Sequence, residues 1–202
     1  MAARYTEKQF WDWFSRHAPK LKDSAGASFE RLTDELLCVL QRYCEGLAFE
    51  IGHDGSGCYE FVVTAYGNTD YFEAVERLVA QAPRLDDWRV TAFKPPMPEN
   101  FRVDMDGVAI DTAEAFFIPL ECASAPNDIG VRLFLQGYDP ALEEVYMQAS
   151  STVLQTILGE KSFAYDLQHI EMEPLPGDME GLIPILDIPD YIQWKEEQRI
   201  LN

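Results

Sequence analysis

Two stretches of the chain change their hydrophobic period in the same order, and this restricts the folds that it can adopt. In each stretch, alternating apolar residues predict two strands, a period of about 3.6 residues predicts a helix, and alternation then returns. The repeated order of strand, strand, helix and strand indicates two similar units. The predicted strands are 47–51, 59–66 and 88–93, and then 116–122, 131–136 and 163–172, the last with a bulge near Gln168–His169.

The remaining segments lie before, between and after these units in the chain. Thr6 and Gln9 match a capping box at the start of the first of two N-terminal helices, and Gly46 is placed for a left-handed cap at the end of the second. We predict an α+β fold with a largely antiparallel sheet built from the two units and the N-terminal helices packed on it. The single domain divides into helices at 1–46, units at 47–97 and 113–173, a hairpin at 98–112, and a tail at 174–202 whose last helix starts near Pro189.

The acidic residues are concentrated in one block. The chain has 16 Lys and Arg against 35 Asp and Glu, a formal charge of −19. Residues 1–46 are balanced, whereas 98–190 hold three basic and 18 acidic residues, a net of −15. Such a charge repels nucleic acids and anionic membranes, so we expect neither as a partner. The block is either a solubilising surface or a surface that attracts a basic protein.

Other sequence features favour a protein of the cytoplasm. No apolar run approaches the roughly 20 residues that a membrane-spanning helix needs, and the first residues are too polar for a signal peptide. The four cysteines contain no Cys-x2-Cys pair, so we interpret them as structural thiols in a reducing compartment. The three histidines, His17, His53 and His169, form no metal-ligand pair. We expect no metal and no cofactor.

One segment carries a catalytic pattern. The run Val103-Asp104-Met105-Asp106-Gly107 resembles the first motif of haloacid-dehalogenase-type phosphatases. That resemblance implies that Asp104 attacks phosphorus, that Asp106 acts as acid and base, and that carboxylates hold magnesium. Lys161 and the run Gly177-Asp178-Met179-Glu180 resemble later motifs of the family.

The same residues have a simpler interpretation. Asp106-Gly107 between alternating apolar residues is also the signature of a two-residue β-hairpin. The segment before the Asp104 motif, 97–102, is mostly polar and contains a proline. The phosphatase family needs a buried apolar strand at that place. A hairpin at 101–112 favours a binding protein, and a strand that runs into a helix favours the enzyme. We leave enzymatic activity open and favour its absence.

The candidate binding residues are four acids and one tryptophan. In the N-terminal helix, Phe10, Trp11 and Phe14 share one apolar stripe, and Trp13 lies about 100° away from it. Trp13 is therefore either a partly exposed core ring or part of a recognition face. In the acidic block we select a set for binding a basic protein: Glu143, Glu144, Glu171 and Glu173.

A further resemblance covers most of the chain. The Phe-Trp-x-Trp-Phe start, the run Gly46–Ile51, the run Trp88–Pro95, Leu158-Gly159-Glu160 and the tail Leu182–Ile192 resemble a group of uncharacterised bacterial proteins. The resemblance implies a bacterial protein but carries no active-site residues. We therefore favour a non-enzymatic acidic protein that binds a basic partner, of the inhibitor or immunity type that restrains a toxin or nuclease. The alternative is the magnesium-dependent phosphohydrolase centred on Asp104 and Asp106.

Overall fold

A computed structural model describes residues 4–53, 57–121, 125 and 128–201. These residues form six α-helices and nine strands in three small sheets, and the strand pairs are mostly antiparallel. The chain divides into two compact units, 1–94 and 95–202. Within the described residues, no helix has both the length and the apolar character needed to cross a bilayer.

The first unit contains three helices and one three-stranded sheet. Its central strand, 59–64, pairs antiparallel with the strand at 48–53 and parallel with the strand at 88–92, and the helix at 72–80 lies between the two parallel strands in the chain. The predicted capping box is confirmed, because Thr6 and Gln9 exchange side-chain and backbone hydrogen bonds at the start of the first helix. The elements are α1 (Glu7–Asp23), α2 (Ala27–Tyr43), β1 (Ala48–His53), β2 (Tyr59–Thr64), α3 (Phe72–Ala80) and β3 (Trp88–Ala92).

Aromatic side chains fill the core of the first unit. Phe61 on the central strand is fully buried, and the centroid of its ring lies 4.6 Å from that of Phe14 and 6.2 Å from that of Phe10, both on α1. Trp11 on the same helix donates from Nε1 to the carbonyl of Leu78 on α3 at 2.8 Å. The apolar stripe predicted for the first helix is therefore the surface that packs against the sheet.

Gly46 does not have the conformation that the sequence predicted. The second helix ends at Tyr43 with Cys44 in extended backbone, and Gly46 lacks a positive φ, so the left-handed cap is wrong. A Cβ atom at Gly46 would overlap the ring of Tyr71 instead. Glycine is needed here because an aromatic ring packs directly on its Cα.

We expect Gly46→Ala to lower the free energy of unfolding by about 1–3 kcal/mol, since the added methyl must displace the ring of Tyr71. Urea unfolding of the wild type and the variant measures this difference. The same substitution in a Tyr71→Ala background should cost much less, because the overlapping ring is gone. An equal cost in both backgrounds would contradict the steric explanation.

The second unit contains a separate hairpin, a four-stranded sheet and three helices. In the sheet, the strand at 130–135 pairs antiparallel with the strand at 116–120 and parallel with the strand at 169–174, and the strand at 183–184 pairs with the other edge of 116–120. The elements are β4 (Arg102–Met105), β5 (Val108–Asp111), β6 (Phe116–Leu120), β7 (Gly130–Leu135), α4 (Glu143–Leu158), α5 (Glu160–Asp166), β8 (His169–Pro174), β9 (Ile183–Pro184) and α6 (Ile188–Leu201).

Helix α4 packs on one face of this sheet. Leu133 on β7 and Ala149 and Val153 on the helix are fully buried members of one core. Ser150 on the same helix lies 3.4 Å, Oγ to Sδ, from Met172 on β8. Alternate residues of β8, at 170 and 172, therefore face the helix, and those at 171 and 173 face away from it.

The structure corrects three parts of the predicted architecture. The strands form three sheets rather than one, and the third strand of each unit is parallel to the second because a helix connects them. Residues 163–166 belong to α5 rather than to a bulged strand. Phe163 and Leu167 fit the alternation of a strand, but they also have the four-residue spacing of a helix. The N–H of Phe163 donates to the carbonyl of Gly159 as in a helical turn.

Candidate functional site

The segment with the catalytic pattern is a β-hairpin. Strands β4 and β5 pair antiparallel, and Asp106 and Gly107 form the turn with φ values of 46° and 87°, so the predicted hairpin is confirmed. Asp104 lies opposite Ala109, and Arg102 Nε lies 3.1 Å from each of its carboxylate oxygens. The strand turns back on itself instead of leading into a helix, and this arrangement does not favour the phosphohydrolase.

The described part of the chain also offers no preformed metal centre. It contains no group of three or more His, Cys, Asp or Glu side chains arranged to hold a metal ion. Asp104 is engaged by a guanidinium, and Asp106 lies in the turn with a backbone conformation that asparagine and aspartate tolerate. Both aspartates therefore have structural explanations.

Two of the predicted binding acids surround an arginine. Arg132 on β7 donates from Nε and Nη2 to one carboxylate oxygen of Glu171 at 2.8 and 2.7 Å, and its Nη1 lies 3.3 Å from Glu173 Oε1. His169 Nε2 lies 3.2 Å from the other oxygen of Glu171. The hydrogen bond from Arg132, and to a smaller extent that from His169, holds the pKa of Glu171 below its usual value. Part of the negative charge of this pair is thus neutralised locally.

We expect Arg132→Gln to raise the pKa of Glu171 toward its ordinary value, because the strongest donor to the carboxylate is lost. A folded-state pKa below the unfolded one stabilises the protein above the unfolded value, and this contribution disappears as the pH falls through the folded value. Carboxyl NMR titration measures the shift. Arg102→Gln is the matched control, since Arg102 pairs with Asp104, and an equal shift of Glu171 in both variants would contradict the assignment.

Glu143 and Glu144 lie in the first turn of α4 and are exposed. The turn before them is capped by Asp139, whose Oδ1 accepts from the N–H of Ala141 at 2.9 Å. Carboxylates at this end of a helix interact favourably with its dipole. The two glutamates therefore have a structural role in addition to any role in binding.

The structure does not bring the four predicted acids into one patch. Glu171 and Glu173 project from the face of the sheet that carries Arg132, whereas Met172 faces α4, the helix that carries Glu143 and Glu144. The strand alternation and the helix position thus place the two pairs on opposite sides of the sheet.

Trp13 lies in the first unit, outside the buried stripe of α1. Its half-buried ring stacks on that of His17 one turn later, with centroids 4.0 Å apart and planes 13° apart. The Nδ1 atom of His17 lies 2.8 Å from the carbonyl oxygen of Trp13. A neighbouring ring in its own helix thus covers part of the tryptophan.

A groove that the sequence analysis missed lies past the carboxyl ends of the parallel strands β7 and β8. We call it the β7–β8 groove, and its volume is about 500 Å³. Its apolar wall consists of Phe116, Tyr138, Leu175 and Met179, and Glu114 adds a carboxylate. The carboxyl ends of parallel strands are where α/β sheets commonly bind ligands, because the connections there diverge from the sheet.

Hydrogen bonds from the connecting segments hold the wall of the groove in place. The chain leaves β7 through Gly137, which has a φ of 72°, and the carbonyl of Gly137 accepts a 2.6 Å hydrogen bond from the hydroxyl of Tyr146 on α4. The ring of Tyr138 packs edge-on against that of Tyr146, with centroids 4.9 Å apart. Leu175 donates its N–H to the carbonyl of Leu135, so the segment after β8 is tied to the end of β7.

Besides Glu114, which lines the groove, four carboxylates are close to its lining residues in the chain, and we call these five the rim acids. Burial raises the pKa of Tyr138, and the charges of Glu143 and Asp139 raise it further. Asp178 and Glu180 flank Met179, and Asp178 Oδ1 accepts from the N–H of Glu180 at 3.0 Å. The rim acids are Glu114, Asp139, Glu143, Asp178 and Glu180.

The sequence predicted strands on both sides of this groove, at 131–136 and 163–172. It predicted a largely antiparallel sheet, however, in which the carboxyl ends of neighbouring strands do not meet. No family model, curated protein or solved structure matches this chain. An apolar groove with a rim of carboxylates fits a ligand that is both apolar and positively charged.

Proposed function

We propose that the protein is a non-enzymatic interaction protein that binds a basic protein partner through its second unit. The observation that supports this proposal is the charge of that unit, residues 95–202, which hold five Lys and Arg against twenty Asp and Glu, a net of −15. Arg102 and Arg132 each already contact carboxylates. The unit thus holds fifteen more acidic than basic residues.

The distribution of the charge supports the same proposal. All five rim acids are exposed, and they accompany an apolar groove rather than a uniformly polar surface. Complementary charges accelerate association and disfavour partners of the wrong sign. Neither nucleic acid nor an anionic membrane is expected to bind this surface.

The test compares two variants from which equal charge is removed. Glu143→Gln, Glu144→Gln, Asp178→Asn and Glu180→Gln neutralise four exposed acids of the second unit, and asparagine at 178 keeps its side-chain acceptor. The matched control removes four exposed acids of the first unit, by the substitutions Glu30→Gln, Asp34→Asn, Glu45→Gln and Asp86→Asn.

Each immobilised protein is incubated with a bacterial lysate, and bound proteins are quantified by mass spectrometry at low and high salt. We expect a basic protein that the wild type and the control retain and that the second-unit variant loses. An acidic partner, or retention by all three proteins alike, would refute the proposal.

The partner class and the setting are part of the proposal. We infer that the basic partner is a toxin or nuclease that the protein restrains as an inhibitor or immunity protein in the bacterial cytoplasm. The support is charge complementarity, together with the resemblance to uncharacterised bacterial proteins, which stays a prediction. The captured protein should therefore lose its activity when the purified chain is added.

We also propose that the two units arose by duplication. The support is their shared order, in which an antiparallel strand pair is followed by a helix (two helices, α4 and α5, in the second unit) and a strand parallel to the second strand of the pair. If so, the backbone of β1, β2 and β3 should superpose on that of β6, β7 and β8, together with α3 on α4. Units that share the strand order but differ in helix placement would argue against duplication.

A further inference from the structure

We infer that the β7–β8 groove binds an apolar side chain of the partner, presented between lysine or arginine residues. This inference rests on the proposed function and specifies the part of the partner that is recognised. The occupant is a basic peptide segment with a leucine-sized or larger apolar residue at its centre.

The apolar walls argue for the central residue. Phe116, Tyr138 and Leu175 are partly exposed at the groove, and Met179 is 50% exposed. A volume of about 500 Å³ is within the range of pockets that bind small ligands, and it can accommodate one large side chain with its neighbouring backbone. Met179 can adapt to the shape of the occupant, because its side chain is unbranched and flexible.

The rim acids argue for the flanking residues. Glu114 is itself part of the lining, and Asp139 and Glu143 influence Tyr138 through their charge. Asp178 and Glu180 lie on either side of Met179 in the chain. An apolar side chain that enters the groove thus brings its neighbours close to several carboxylates. Basic neighbours are attracted there and acidic neighbours are repelled.

The walls are also preorganised, which favours binding. The 2.6 Å hydrogen bond between the Tyr146 hydroxyl and the Gly137 carbonyl fixes the segment that carries Tyr138. The hydrogen bond between the N–H of Leu175 and the carbonyl of Leu135 fixes the opposite segment. Walls that are already ordered lose little conformational freedom when the ligand binds.

Three fluorescent seven-residue peptides test the inference with the full-length protein. The first has two lysines at each end and a leucine at the centre, the second has serine in place of the leucine, and the third has glutamates in place of the lysines. Fluorescence anisotropy at low salt measures the three affinities. We expect the lysine–leucine peptide to bind about tenfold more tightly than the lysine–serine peptide, because burying leucine is worth at least that factor, and the glutamate peptide to bind at least as weakly as the lysine–serine peptide.

Two methionine variants then locate the apolar contact. Met179→Gln should remove most of the preference for leucine over serine and leave the salt-dependent binding of both lysine peptides. Met97→Gln is the matched control, since Met97 is similarly exposed at 44%, lies in the same unit and is not in the lining of the groove. Its preference should match the wild type. An intact preference in Met179→Gln, or an equal loss in Met97→Gln, would overturn the assignment to the groove.

The outcomes separate this inference from the proposed function. Equal binding of the leucine and serine peptides overturns the groove inference and leaves the binding of a basic partner intact. Equal binding of the lysine and glutamate peptides, or no binding of any peptide at millimolar concentration, also overturns it. The proposed function is decided independently by the captured protein and its dependence on the acids of the second unit.

Discussion

Replacing Phe61 with alanine should lower the free energy of unfolding of the first unit by about 3–5 kcal/mol, the largest effect expected for a single substitution here. The side chain is fully buried, and its ring contacts those of Phe14 at 4.6 Å and Phe49 at 5.6 Å between centroids. Alanine would remove this ring from the central strand and leave a cavity between sheet and helix. Chemical denaturation monitored by tryptophan fluorescence measures the change.

Two further variants make this prediction specific. Phe61→Leu keeps most of the apolar volume and should cost less than the alanine variant. Tyr66→Ala removes an aromatic ring that is 61% exposed, and it should change the stability by much less than Phe61→Ala. Equal losses for Phe61→Ala and Tyr66→Ala would contradict the aromatic core described above.

The second large effect concerns the rate of association with the basic partner. Raising the salt concentration from 0.1 to 1 M shortens the Debye length from about 10 to about 3 Å, so attraction by the net charge of −15 acts over a much shorter distance. We expect the association rate constant to fall at least about tenfold, and the dissociation rate constant to rise less. Stopped-flow measurements with the captured partner give both constants.

Charge variants show which acids produce this salt dependence. The second-unit variant, with residues 143, 144, 178 and 180 neutralised, should associate more slowly and with a shallower salt dependence. The first-unit variant should remain closer to the wild type. Lysine substitutions at Glu171 and Glu173 are unsuitable for this purpose, because they would place like charges against Arg132 and disturb the sheet. An association rate that does not depend on salt would contradict electrostatic attraction.

Much of the fold could be predicted from local patterns in the sequence. Asp106-Gly107 predicted its hairpin because few other residue pairs adopt two successive positive φ values at low cost. Thr6 and Gln9 predicted a helix start because a capping box acts within one turn. These features depend on residues that are close together in the chain.

The features that failed depend on distant residues. The requirement for glycine at position 46 comes from Tyr71, which is far away in the sequence. The parallel pairing of β7 with β8 depends on how α4 crosses the sheet, and alternation of apolar residues is the same in parallel and antiparallel strands. The expectation of antiparallel strands hid the groove, because the carboxyl ends of neighbouring strands meet only when the strands are parallel.

The parallel strand in each unit also affects how the chain reaches its native state. The partners β1 and β2 are neighbours in sequence, whereas residues 65–87 must be brought back before β3 can pair with β2. Closing the longer loop costs more entropy, so pairing of the third strand is favoured later than the hairpin. Until then, the second edge of β2 is unpaired, and this strand is rich in the aromatic and β-branched residues that promote intermolecular β-pairing. The docking of α3 and β3 is thus the step that protects a newly made first unit from aggregation.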